Sequence, residues 1–409
     1  MGGFAFSTKL IGQGGVGQSD QFGIFLTPIG GPDGTSNPPE GPVLNSILVA
    51  ALLPTGLPSG PGYAQAAVFA PPAISFFPQF DLIPGTGVIA SATLGLPGQS
   101  GNTAVIGFQN DATFVNGSAF ICIRSTVGAW SIQQQLVPGD GAPQGDYGLS
   151  ACVFGNIAVV GSLVGSGPAL YAFSRTGTTW AQFQQFQPSD IGVSDGLTVA
   201  AMTGNQLFLS AINQSANRGA VYVYTLIAGA YAQVQKLVGA AGDFFGISVS
   251  CDGSTLVIGA VGNGAGKAYV YTSAGGGTWN LLTTLTSSDG VAGDSFGNGV
   301  SVNGTLMCIG ARNASVGIVT FAGAAYIFQF IAGAWTQTQK LVSTVPTTLT
   351  YFGWATSVYA GNPSWVAVGQ PAVGNAGIEG SVFIFKGPAI APVSDPFVTL
   401  TFKGEKVYT

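Results

Sequence analysis

A unit of about fifty residues recurs along this chain of 409 residues, and no other feature constrains the fold as strongly. The unit holds an Asp-x-Phe-Gly-like turn, a strand ending in an Ile-Gly-Ala-like triplet, a Gly-x-Ala-Tyr-x-Tyr strand and a Gln-rich strand, and its best copy lies between Asp243 and Leu285. The turn glycines lie 48, 50, 51 and 56 residues apart at Gly148, Gly196, Gly246, Gly297 and Gly353. This spacing predicts four-stranded units close to the length of β-propeller blades, about 40–50 residues.

The composition agrees with an all-β chain. Short alternating strands separated by glycine-rich turns run from end to end, and no stretch has the periodicity of a useful amphipathic helix. Hydrophobic residues make up 46% of the chain and charged residues only 7%, which favours a large packed core. The predicted fold is a seven-bladed β-propeller of four-stranded blades, its ring closed by an N-terminal strand that completes the last blade.

The proposed closure rests on a sequence match at the two ends of the chain. The last unit stops after its third strand, at Phe385, and the opening segment Lys9-Leu10-Ile11 matches the fourth strands that contain Lys236 and Lys340. Residues 389–409 are expected to form a tail, either a hairpin or a docking strand. The seven units of the ring, residues 1–388, are predicted near 12–87, 88–138, 139–186, 187–238, 239–285, 286–342, and 343–388 with 4–11.

On these motifs the chain resembles the FG-GAP repeat family, the propeller type of integrin α heads. The resemblance covers nearly the whole chain and is strongest from Asp243 to Tyr271 and from Asp294 to Phe328. It implies seven blades and a mostly adhesive or structural repertoire. Integrin-like copies often carry an Asp-rich calcium loop, but segments 250–254 and 302–305 offer at most one carboxylate each, whereas calcium takes about six to eight oxygen ligands. The chain is therefore expected to be a calcium-poor variant without a cofactor.

Several functional classes have little support in the sequence. The absence of histidine removes the usual general base and the commonest metal ligand, so no enzymatic activity is expected. Glycoside cleavage by paired carboxylates remains a remote alternative, because acids such as Asp243 and Asp294 recur at one turn position. Thinly scattered charges, with a net charge of −5, predict no nucleic-acid partner. No apolar run of about 18 residues predicts a membrane span, and no signal peptide is recognisable.

The outer strands suggest an assembly role. Exposed edge strands usually carry Lys or Glu, whose charges hinder pairing with other chains. The outer strands of this chain carry Gln and Thr instead. Together with 27 Phe residues, they predict a surface covered by other subunits. The leading hypothesis is a non-enzymatic structural subunit that forms a homo-oligomer or joins a coat, fibre, virion or cell-surface assembly, at an extracellular or virion surface. The alternative is a monomeric adhesion module that recognises a glycan or a protein through one propeller face.

The candidate interaction surface combines Phe-rich and Gln-rich segments with the tail. The recurring Trp130, Trp180, Trp279 and Trp335 are instead expected to pack between blades, because a residue repeated once per unit is explained most simply by the fold. The residues of the predicted surface are Phe76, Phe77, Phe80, Gln133, Gln135, Gln182, Gln184, Gln337, Gln339, Phe402 and Tyr408.

Overall fold

The chain is seen in a computed structural model, and its β-strands account for most of the residues described. The structure describes residues 5–11, 25–28, 45–51, 63–70, 73–76, 93–94, 98–100, 103–109, 117–124, 130–139, 147–164, 167–360, 364–371 and 380–387.

Seven antiparallel sheets are formed by these strands. The first sheet contains β2 (Phe25–Pro28), β3 (Asn45–Ala51), β4 (Tyr63–Ala70) and β5 (Ala73–Phe76). The second contains β6 (Thr93–Leu94), β7 (Gly98–Ser100), β8 (Thr103–Gln109), β9 (Ser118–Arg124) and β10 (Trp130–Leu136). The third and fourth contain β11 (Ser150–Phe154), β12 (Ile157–Val164), β13 (Gly167–Thr176) and β14 (Thr179–Phe186), then β15 (Leu197–Thr203), β16 (Gln206–Ala211), β17 (Ala220–Ile227) and β18 (Ala230–Val238).

The remaining three sheets complete the fold. The fifth and sixth contain β19 (Val249–Cys251), β20 (Thr255–Ala260), β21 (Lys267–Gly275) and β22 (Thr278–Leu285), then β23 (Phe296–Asn303), β24 (Leu306–Ala311), β25 (Ala324–Ile331) and β26 (Ala334–Leu341). The seventh contains β27 (Thr356–Tyr359), β28 (Trp365–Gln370), β29 (Ser381–Lys386) and β1 (Ala5–Ile11). Two short helical turns, Val193–Asp195 and Gln214–Asn217, lie in loops.

Strand β1 joins the two ends of the chain. It pairs antiparallel with β29, with Ala5 opposite Lys386 and Ile11 opposite Ser381. The pairing expected from the match between the N-terminal segment and the other fourth strands is therefore present.

The repeated glycines hold consecutive sheets close together. A Cβ atom on Gly259, in the Ile-Gly-Ala triplet of the fifth sheet, would collide with the carbonyl of Gly297, in the Phe-Gly pair that begins the sixth. Gly310 and Gly353 make the same approach between the sixth and seventh sheets. Both motif glycines are thus explained by backbone contact between sheets.

The aromatic residue of each Phe-Gly pair completes this joint. Phe245, Phe296 and Phe352 are fully buried, and each packs edge-on against an aromatic residue in the third strand of its own sheet. Such T-shaped ring pairs add to the stability gained by burial. The hydrophobic clusters draw their side chains from pairs of neighbouring sheets, so the core lies between sheets.

At the level of fold class the prediction is confirmed: the chain is all-β and built from antiparallel sheets of similar strand order. Within the described residues, no helix is both long and apolar enough to cross a bilayer.

Candidate functional site

Loops at one end of the strands form a continuous hydrogen-bonded surface, called here the loop face. In an antiparallel four-stranded meander, the connection between strands two and three and the connection to the next sheet lie at the same end of the strands. Backbone bonds link them from sheet to sheet: Phe244 donates to Asn217, and Tyr351 donates to Phe321. The loop face comprises residues 187–196, 212–219, 239–248, 261–266, 286–295, 312–323 and 342–355.

Asp243 is the most thoroughly paired charge on the loop face. Its side chain is 1% exposed and accepts hydrogen bonds from Tyr269 Oη at 2.6 Å, Asn263 Nδ2 at 2.6 Å, Lys267 Nζ at 3.1 Å and Ala240 N at 3.1 Å. Burial alone would raise the pKa of Asp243, but these donors outweigh it and hold the pKa below its usual value. This carboxylate fastens the turn to the following hairpin.

The neighbouring sheets repeat this arrangement with a different loop aspartate. The Lys236 ammonium lowers the pKa of Asp190 and the Lys340 ammonium lowers that of Asp289. In each case an aspartate accepts from a third-strand tyrosine and a fourth-strand lysine, as Asp190 does from Tyr222 and Lys236, and Asp289 from Tyr326 and Lys340. These ion pairs recur with the repeat and are therefore explained by the fold.

A cation in a different situation lies between the sixth and seventh sheets. The guanidinium carbon of Arg312 lies 4.3 Å from the centre of the Trp354 ring, and the Trp354 ring contacts Tyr351 at 6.0 Å between centroids. Tyr351 in turn contacts Phe321 at 6.2 Å. These four residues are called the Arg312 cluster below.

Arg312 donates no hydrogen bond and forms no ion pair within the described part of the chain, and its buried Nε has no partner. Burial lowers the pKa of the guanidinium, an effect that the neighbouring Tyr351 partly offsets. An arginine side chain nevertheless stays protonated at neutral pH. The cluster therefore presents a positive charge and unused donors beside the Trp354 ring, which contacts Phe321 through Tyr351.

Arg312 also departs from the repeat. The residue that follows it donates its backbone N–H to the carbonyl of Asp294, and Gly262 makes the same bond to Asp243 one sheet earlier. This correspondence places Arg312 where the fifth sheet has Val261. The apolar residue satisfies the fold at this position, so packing of the repeat does not require a charge there.

Phe321 departs from the repeat at a cost in backbone energy. Its φ is 53°, and the matching positions in the two preceding sheets are Asn217, with φ 64°, and Gly264, with φ 60°. Asn and Gly adopt this left-handed region readily, whereas a bulky residue there costs about 1–2 kcal/mol. Phe321 is 43% exposed, so the strain is not offset by full burial. Strain of this kind clusters at functional sites.

The glutamines of the predicted interaction surface are engaged within the chain. Gln184 donates from Nε2 to Tyr231 O at 3.0 Å and accepts from Tyr231 N at 2.6 Å, joining the fourth strands of two sheets. Gln134 and Gln235 make the same pair of bonds to Trp180 and Trp279. These paired bonds are called the Gln staples.

The other predicted glutamines also contact neighbouring segments. Gln133 accepts from Trp180 Nε1 at 3.0 Å, Gln182 accepts from Gly139 N at 2.7 Å, and Gln337 exchanges bonds with Ser288. Gln135 lies in β10 and Gln339 in β26, and both are half-buried. Use of these residues by a partner stays a prediction.

The aromatic members of that predicted surface fall elsewhere. Phe76 ends β5, and its side chain lies outside the described part of the structure. Phe77, Phe80, Phe402 and Tyr408 also lie outside the described residues. Trp180 and Trp279 are 3% and 1% exposed, Trp335 is half-buried, and all three pack against hydrophobic clusters between sheets, as expected.

Metal binding has little support among the described residues. Asp252, in a segment considered for calcium, accepts from the backbone N–H groups of Ser254, Thr255 and Gly304, so its oxygens already have partners. No group of three or more His, Cys, Asp or Glu side chains in the described part is arranged to hold a metal ion. The expectation that no cofactor is needed stays a prediction.

The comparisons with known proteins support the family resemblance. The family model described as FG-GAP repeat matches residues 231–271 and 279–328, so the chain carries two FG-GAP repeats and is consistent with the FG-GAP repeat β-propeller family. The recognition made from the sequence motifs is confirmed. No curated protein matches the chain.

Solved structures resemble the chain at low sequence identity. A fungal alcohol oxidase of the AA5 family, in complex with copper, is 12% identical, with a TM-score of 0.53 over 94% of this chain and 76% of that one. The periplasmic gluconolactonase PpgL of Pseudomonas aeruginosa is 14% identical, with a TM-score of 0.47 over 84% of this chain and 98% of that one. A protein from Lactobacillus plantarum is 12% identical, with a TM-score of 0.47 over 73% and 83%. At such identities the likeness concerns the fold alone.

The predicted role as a self-assembling structural subunit is wrong. Nothing in the comparisons supports a coat, fibre or virion role. The physical argument for that role also fails, because the outer-strand amides that were expected to leave the edges open bond neighbouring sheets instead. The comparisons likewise give no support to the prediction that the chain is not an enzyme.

Sequence reasoning missed the Arg312 cluster. Its members are separated by up to 42 residues, from Arg312 to Trp354, and no local motif joins them. A signal was nevertheless present, since aligning the repeats places a lone arginine at a position that is apolar in the preceding unit.

Proposed function

We propose that the chain is a seven-bladed β-propeller that binds a small anionic ligand at the Arg312 cluster on its loop face. The cyclic order of contacts among the first strands of the sheets supports this ring: β2, β7, β11, β15, β19, β23 and β27, with β27 contacting β2 again. The predicted unit boundaries stay the proposed blades, with residues 389–409 as a tail outside the ring.

The observation that carries the binding proposal is the unpaired guanidinium of Arg312. The cations of Lys236, Lys267 and Lys340 each have an aspartate partner within 3.1 Å, whereas Arg312 has none within the described residues. Leaving a buried donor unsatisfied costs about 1–3 kcal/mol, and an anion in contact with Arg312 would recover this energy. Trp354 stacks on the guanidinium and holds it in place before a ligand arrives.

The Arg312 cluster has the composition of a small-ligand site. It lies beside the loop of residues 312–323, which is longer than the corresponding loop of residues 261–266. Binding sites of this kind combine apolar and aromatic walls with a few placed polar groups, and the Arg312 cluster has both. An extracellular or periplasmic location is part of the proposal, and localisation of the chain in its source cells would test it.

Thermal unfolding with a panel of small organic anions and matched neutral compounds tests the binding proposal. A ligand at about one hundred times its dissociation constant stabilises the folded chain by about 2.7 kcal/mol. At least one anion should raise the Tm of the wild type but not that of Arg312→Met. The matched control is Arg175→Met, which removes another arginine stacked on a tryptophan, at 5.5 Å from Trp180, and should retain the shift. Equal shifts in wild type and Arg312→Met, or none with any anion, would refute the proposal.

A further inference from the structure

We infer that the anionic ligand is a sugar acid, with its carboxylate on Arg312 and its ring against Tyr351 and Phe321. This inference rests on the proposed function and specifies the ligand class at the same site. It follows from three properties of the cluster: the donors that remain on the guanidinium, the charge around it, and the surfaces beside it.

The donors favour a planar anion. The Trp354 ring covers one side of the Arg312 guanidinium, so a ligand must approach the fork of N–H groups along its edge. That edge matches a carboxylate through two parallel hydrogen bonds. A lysine at the same place would present a point charge without this directional preference. The arginine therefore selects for the geometry of the acid as well as for its charge.

The surrounding charge favours a single negative charge over two. Arg312 is one cation, and the adjacent loop of residues 286–295 contributes Asp289 and Asp294. Asp289 is already paired with Lys340, and Asp294 accepts from the backbone N–H of Val291 at 2.8 Å. A phosphate dianion would meet stronger repulsion from these carboxylates than a monoanion would. Carboxylate is therefore the better match to the net charge of the site.

The surfaces beside the guanidinium favour a hydroxyl-rich ring. Tyr351 is half-buried and Phe321 is exposed, and both belong to the line of ring contacts that starts at Trp354. The same loops carry the exposed hydroxyl side chains of Ser315, Thr320 and Thr344. A sugar ring has an apolar C–H face and hydroxyl groups at its edge, which corresponds to this combination of aromatic and hydroxyl side chains. A purely aromatic acid would use the rings and leave the hydroxyls without ligand contacts.

Calorimetric titration of the whole chain separates these features. The probes are glucuronate, glucose, acetate, phenylacetate and inorganic phosphate. Glucuronate should bind at least about tenfold more tightly than each of the others, since about 1.4 kcal/mol corresponds to a factor of ten. Arg312→Met should weaken glucuronate binding about tenfold or more, Phe321→Ala should weaken it by a smaller factor without affecting acetate, and Arg175→Met should leave it unchanged. Circular dichroism of each variant checks the fold.

The outcomes distinguish failure of this inference from failure of the proposed function. Tighter binding of phosphate would overturn the carboxylate assignment, and equal or tighter binding of phenylacetate would overturn the sugar ring. If glucuronate does not bind but another anion depends on Arg312, the inference fails and the proposed function stands. If no probe and no anion of the wider panel depends on Arg312, both fail.

Discussion

Asp243 and Arg312 are both charged side chains on the loop face, one sheet apart, and they differ in what surrounds them. Asp243 accepts hydrogen bonds from four groups of the chain, whereas Arg312 donates to none among the described residues. Turn aspartates recur at the Asp243 position, and Arg312 replaces an apolar residue. The charge at the repeated position is paired with a lysine of the same sheet, whereas the charge at the exceptional position has no partner among the described residues.

Removing the charge of Asp243 should produce the largest loss of stability. Asp243→Asn leaves the half-buried Lys267 without its carboxylate, and loss of one partner of a buried ion pair costs about 3 kcal/mol. Arg312→Met should change the free energy of unfolding by less than about 1 kcal/mol, because loss of the contact with Trp354 is offset by removal of the unsatisfied Nε donor. Urea unfolding measures both. Equal losses would remove the distinction between the two charges.

Acid should abolish the contribution of Asp243. Its folded-state pKa lies below the usual value of 3.8, so its stabilisation is present above about pH 4 and lost as the pH falls through the folded pKa. The stability difference between wild type and Asp243→Asn should therefore be constant from about pH 8 to 5 and shrink below pH 4. Unfolding curves at each pH measure this difference. A difference that does not shrink at all as the pH falls below about 4 would contradict the assigned ion pair.

Substituting an uncharged residue that bonds neighbouring sheets should also lower the free energy of unfolding, as substituting Asp243 does. Gln184→Met breaks both bonds to the Tyr231 backbone and should cost about 2 kcal/mol, less than Asp243→Asn because water can reach this outer strand. Thermal or urea unfolding would measure the change. A neutral result would mean that the Gln staples contribute little to holding the sheets together.

The junction between the fifth and sixth sheets should accept a staple that it lacks. The glutamine of a Gln staple lies four residues after the aromatic residue near the start of its own strand. Trp180, Tyr231 and Trp335 are each followed by Gln at this spacing, whereas Trp279 is followed by Thr283. Thr283→Gln should raise the free energy of unfolding by up to about 1 kcal/mol, the usual net value of added hydrogen bonds. The matched change Thr284→Gln, on the neighbouring exposed position of β22, should not. Equal effects of the two substitutions would show that register is unimportant.

The sequence predicted those parts of the fold that depend on local pattern. The Phe-Gly turns, the alternating third strands and the pairing of the N-terminal segment with β29 follow from motifs a few residues long. The Gln staples were misread because each joins residues 44 to 47 positions apart, and an uncharged edge was taken for an open one. The Arg312 cluster is also non-local, since the ring contacts that define it appear only after the sheets are packed.

The most direct test of the account is nitrogen-15 NMR of the arginine side chains during addition of glucuronate. The Nε–H signal that is missing from Arg312→Met identifies Arg312. We predict that this signal shifts and saturates with glucuronate, while the Arg175 signal, assigned in the same way from Arg175→Met, does not move. An Arg312 signal that is unmoved by glucuronate and by every other anion tested would contradict the claim that this unpaired cation is a binding site.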